Sequence, residues 1–75
     1  MNFQTAQKTI NKLGATNNTL TIGNAKLTIT EKRGELDDIM VEYLDQPNPF
    51  NTGSKPFKFN QFRTLAHGIK AAQSY

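Results

Sequence analysis

The chain has 75 residues and a formal charge of +3, from nine Lys and Arg against six Asp and Glu, with one His and no Cys or Trp. So short a chain holds one domain, residues 1–75, and leaves no room for a doubly wound nucleotide-binding fold or an α/β barrel. Disulfide scaffolds, Cys-based zinc sites and His-rich metal sites fall away with the missing ligand atoms. No apolar run approaches the roughly 20 residues that span a bilayer.

Residues 3–13 follow the spacing of one helical face, with Phe3, Ala6, Ile10 and Leu13 in line and Lys8 and Lys12 opposite. Asn2 suits the N-cap, and Gly14 suits the position just past the C-terminus. From Thr19 the period changes to two. Thr19-Leu20-Thr21-Ile22 and Ala25-Lys26-Leu27-Thr28-Ile29-Thr30 alternate on either side of Gly23-Asn24, a hairpin turn signal. Leu20, Ile22, Ala25, Leu27 and Ile29 then share one face.

Lys32-Arg33-Gly34-Glu35 is the next turn, and residues 36–44 are the third strand. Ile39, Val41 and Tyr43 take one side of it, and Met40, Glu42 and Leu44 the other. Residues 45–56 hold three Pro, one Gly and two Asn, which predicts a long loop. Phe57-Lys58-Phe59 reads as a short extended piece, a short fourth strand at most.

Residues 60–74 are predicted as the last helix, with Asn60 as N-cap and Phe62, Leu65, Ala66, Ile69 and Ala72 on its apolar face. Gly68 inside it costs about 1 kcal/mol relative to Ala, which implies a close approach by another backbone. The predicted class is α+β: a two-layer sandwich in the order helix, three-stranded antiparallel meander, helix, or αβββα. Phe3, Ile10, Leu13, Leu27, Ile29, Val41, Phe62, Leu65 and Ile69 are the expected core. That core is modest, so a partner or a homodimer that completes it is expected.

Charge is segregated along the chain. All six acids lie between Glu31 and Asp45, and cations without acids occupy residues 1–30 and 46–75. Opposite charges meeting across the fold, or sitting in solvent, is one reading. A basic surface is the other, with Lys55, Lys58, Arg63, His67 and Lys70 as candidates for nucleic acid or an acidic partner.

Catalytic chemistry finds little to work with. His67 has no acid near it in sequence, and no nucleophile motif or phosphate-cradling glycine loop occurs. Glu35, Asp37 and Asp38 lack cation-loop spacing and read as a solvated strand entrance. No enzyme activity, cofactor or metal is therefore expected. Asn17-Asn18-Thr19 fits the glycosylation pattern, but Met1-Asn2-Phe3-Gln4-Thr5 lacks the basic stretch and apolar core of a secretory leader. A cytoplasmic location away from the membrane is expected.

Three short resemblances accompany these observations. The helix–three strands–helix order is similar to that of double-stranded-RNA-binding domains, which place lysines at the start of the last helix. The matching stretch here, Asn60-Gln61-Phe62-Arg63-Thr64, holds one cation. HicA-type RNase toxins share that order but carry a His in the strand region, where this chain has none. Asn48-Pro49-Phe50 resembles the motif read by EH domains of membrane-traffic proteins.

The functional expectation is a small non-enzymatic binding protein. It is an inhibitor or adaptor of phage or mobile-element type, acting on a host protein or a protein–nucleic-acid complex. Met40, Leu44 and Phe50 are the expected protein-contact residues, since Met adapts its shape and Phe carries a large apolar area. Direct RNA or DNA binding through the basic residues of the last helix is the alternative.

Overall fold

Asn2 starts the first helix by turning its side chain back on the backbone. Its Oδ1 accepts from the Gln4 N–H at 2.7 Å and the Thr5 N–H at 3.3 Å, two of the donors a helix start leaves unpaired. In the computed structural model, which describes residues 1–52 and 55–75, helix α1 runs Phe3–Asn11 and buries Phe3, Ala6 and Ile10. It stops two residues short of the predicted end. The Leu13 N–H tightens onto the Ile10 carbonyl at 3.0 Å, and Gly14 takes φ +101°. That turn carries Leu13 away from the apolar face, so the expected core residue is 47% exposed.

Three two-residue turns follow, each made by residues at positive φ. Asn17 and Asn18 have φ of 52° and 61° between Thr16 and Thr19, which exchange backbone bonds of 2.9 and 3.0 Å. Gly23 at φ +57° joins β1 (Thr19–Ile22) to β2 (Ala25–Lys32), with positive φ at the first central residue only. Arg33 and Gly34, at +56° and +79°, join β2 to β3 (Glu35–Thr52) with positive φ at both central residues. Strand β4 spans Lys55–Phe62, and helix α2 spans Leu65–Ser74. The sheet order is β1-β2-β3-β4, antiparallel throughout. The fold is α+β in a single small domain. Its four full strands depart from the three-strand order expected.

The main difference lies in the segment predicted as a loop over 45–56. Residues 45–52 continue β3, and residues 55 and 56 begin β4; residues 53 and 54 lie outside the described residues. β2 pairs with β3 only as far as Tyr43, so beyond that point β3 and β4 form a two-stranded ribbon. A ribbon has free edges, where proline's missing N–H costs no ladder bond. The register also shifts between Tyr43 and Pro47, and again between Pro47 and Thr52, which places the prolines at irregular positions. The short piece at Phe57–Phe59 is accordingly the middle of an eight-residue strand.

The last helix also starts later than predicted. Asn60 pairs with Val41 and Phe62 with Ile39, so residues 60–62 are strand. Thr64, not Asn60, is the N-cap, and its hydroxyl accepts from the His67 N–H at 3.2 Å. α1 packs on β1 and β3, and α2 on β2, β3 and β4. The buried sheet residues Leu20, Ala25, Leu27, Ile29, Ile39 and Val41 all face the helices, where Leu65 and Ala72 join them; Phe62 and Ile69 are half-buried at the margin. A Cβ on Gly68 would meet Ile39 Cγ2 at 2.7 Å and Leu27 Cδ1 at 3.2 Å. The close approach at Gly68 is therefore to sheet side chains rather than to a backbone.

Among the described residues, no helix covers the opposite sheet face. Cross-strand partners point the same way, so Thr28, Met40 and Gln61 share this open face, as do Lys26, Glu42 and Phe59.

Candidate functional site

Tyr43 is the last residue of β3 to face the helices before the register shift, and it stands opposite Ala25 on one side and Lys58 on the other. α2 ends at Ser74, which brings Tyr75 onto Tyr43 with ring centroids 4.5 Å apart and planes tilted by 38°. Both hydroxyls are held. Asn60 Nδ2 donates to the Tyr43 hydroxyl at 2.9 Å. The Tyr75 hydroxyl donates to Asp45 Oδ1 and accepts from Gln46 Nε2. Asp45 and Gln46 come within reach because the irregular stretch between Tyr43 and Pro47 breaks the regular alternation. The Asp45 carboxylate holds the Tyr75 phenol above its ordinary pKa, with partial desolvation adding in the same direction.

Further along the ribbon, Asn48 organises Asn48-Pro49-Phe50. Its Oδ1 accepts from the Phe50 N–H at 3.0 Å and its Nδ2 donates to the Lys55 carbonyl at 2.8 Å. Phe50 is 83% exposed. Between the tyrosine pair and Phe50 lies an open groove of about 620 Å³, with Gln46, Asn48, Lys58 and Asn60 on its walls. Aromatic rings, side-chain amides and one lysine can hold an apolar or extended guest. Among the described residues, no three His, Cys, Asp or Glu are grouped to hold a metal ion, and no helix is long and apolar enough to cross a membrane.

The predicted contact residues are brought together only in part. Phe50 and Lys58 both line the groove. Met40 lies on the open face, in a hollow of about 190 Å³ with Thr28, Thr30, Asp38, Lys55 and Gln61. Leu44 is half-buried at the start of the irregular stretch, where its N–H donates to the Asn24 carbonyl at 2.7 Å. Met40 and Phe50 thus line separate hollows, and Phe50 stays largely exposed.

The basic residues are also divided. Lys55 Nζ sits 4.5 Å from the centre of the Phe59 ring. Lys58 points to the opposite side of β4, in register with Tyr43. Arg63 lies in the β4–α2 connection, not on the helix, and borders a small hollow with Asp37. His67 and Lys70 are exposed on α2, with Lys70 at the rim of a cleft that Thr9 of α1 also lines. Among the described residues the one ion pair joins the Met1 amino group to Glu35, at 3.9 Å. The chain's cations and acids otherwise face solvent or stand opposite one another across β2 and β3, as Lys26 does with Glu42.

Comparison with protein-family models, curated proteins and solved structures finds no match.

Proposed function

We propose that this chain is a non-enzymatic binding module, an inhibitor or adaptor, that engages a protein partner through Phe50 and the groove beside it. The observation that carries this reading is Phe50 itself, 83% exposed on the β3–β4 ribbon, where its N–H is held by Asn48 Oδ1 and Asn48 Nδ2 ties β3 to the Lys55 carbonyl of β4. A large apolar side chain exposed on a paired strand suits an anchor residue. The groove supplies the adjoining apolar surface, with amides at its walls to orient a guest. Acting on a host protein or a protein–nucleic-acid complex belongs to the same proposal.

The test compares wild-type chain with Phe50→Ala in capture from a native lysate treated with nuclease. A partner held by wild type and lost by Phe50→Ala, whose melting temperature stays at the parent value, supports the reading. A partner held equally by both chains, or one that disappears on nuclease treatment, overturns it. The second of these results favours nucleic acid on the basic residues instead.

A further inference from the structure

We infer that the outer edge of β4 is a strand-addition site for an acidic, extended segment of a partner protein. The inference rests on reading the chain as a protein-binding module; it concerns the backbone edge of β4, whose Lys58 also borders the groove beside Phe50. β4 is the last strand of the sheet, so one row of its backbone N–H and C=O groups points outward with no further strand beside it among the described residues. Such an edge is a ready template for another strand, and proteins usually guard it with proline, charged side chains, above all lysine, bulges or a short length. Here Lys55 and Lys58 guard against a like-charged strand but not against an acidic one. Pro56 blocks only the beginning, and Phe57–Phe62 runs six residues without proline or acid. The other edge offers less: β1 has four residues, and the Thr16–Thr19 bridge closes its start.

Charge identifies the occupant. Lys55, Lys58 and Arg63 lie along or just past this strand, which itself carries no acid; Asp37, Asp38 and Glu42 belong to β3, on its inner side. A second copy would bring the same cations against these, which opposes self-pairing. An acidic strand is complementary. Lys55 sits on the open side with Phe59, and Lys58 on the helix side with Tyr43. Two acids three residues apart on an extended strand point to opposite faces, as these two lysines do.

The test titrates the capped peptide acetyl-VEVTEVT-amide into the isotope-labelled full-length chain at about 50 mM salt, where charge pairing is little screened. Saturable shifts of the Phe57–Phe62 backbone amides are expected. Binding should weaken at least about tenfold for Lys58→Glu, which removes one charge pair and adds a repulsion. It should vanish when alternate peptide nitrogens are methylated, because the ladder bonds are then blocked. Lys58 is exposed, so the variant should keep the parent's melting temperature. Four results would each overturn the inference: no shift at about 1 mM peptide, corresponding to affinity too weak for a recognition site; binding that survives methylation; β4 shifts with an oligonucleotide but not with the peptide; or dimers joined through β4 without peptide. The titration needs no natural partner and leaves Phe50 intact, so its failure is distinct from failure of the capture experiment.

Discussion

Tyr75 shows how much a single hydroxyl can report. It donates to the Asp45 carboxylate, and that bond raises the phenol's pKa, because ionising the phenol would leave two anions facing each other. A raised value favours the neutral phenol in the folded chain. The contribution to stability is therefore complete below the ordinary tyrosine value of about 10 and is lost as pH rises through the raised one. In a Tyr43→Phe background, phenolate absorbance should show the remaining tyrosine titrating above about 10, and Asp45→Asn should lower that midpoint. An unchanged midpoint would remove the Asp45 contact from the account. Other residues change meaning once their backbone angles are known. Asn17 and Asn18 fit a glycosylation pattern in sequence, yet both sit at positive φ in a two-residue turn, a conformation Asn tolerates better than most residues.

Gly68 decides how closely α2 approaches the sheet. In an exposed helix interior, Gly→Ala stabilises by about 1 kcal/mol. Here the new methyl would stand 2.7 Å from Ile39, a buried branched side chain that has little room to turn. Overpacking of this kind costs about 1–3 kcal/mol, so Gly68→Ala should lower stability in denaturant titration despite the better helix former. A gain in stability would mean that the helix lifts without cost. The elements were legible in unequal measure, for physical reasons. The strands at 19–32 and the faces of Leu27 and Ile29 follow from alternation between clear turn signals, and the apolar start of α1 from its spacing. The ribbon at 45–52 was hidden, because proline and asparagine mark a loop unless an unpaired edge makes room for them. Asn60 looked like a cap because a strand partner nineteen residues upstream, Val41, leaves no local trace. Of the groove, Phe50 and Lys58 could be picked out by type. The Tyr43–Tyr75 pair could not, since it depends on where α2 ends and on an irregularity in β3.

The whole molecule is held by one cluster between the sheet and two short helices. A domain of this size buries only about 60% of its unfolded surface, so it has little stability to lose. Ile29 lies inside that cluster and Ile69 at its margin. Ile29→Ala should cost about 2–5 kcal/mol and leave the chain largely unfolded at room temperature, whereas Ile69→Ala should cost less and leave a melting transition. Equal losses measured by circular dichroism would contradict this packing. The strand order carries a kinetic consequence. Because each strand pairs with its neighbour in the chain, every pairing in the sheet closes over a short stretch, and no crossover must form before the next strand can join. Hairpins close in microseconds, and folds rich in local contacts cross their barrier quickly. The distant closures come on top of these: the N-terminal residues reach Gly34 and Leu36, α1 reaches β3, α2 returns to β2 and β3, and Tyr75 reaches Tyr43, Asp45 and Gln46. The β1–β2 and β2–β3 hairpins can thus assemble from their turns outward, and the two helices close over the sheet they begin.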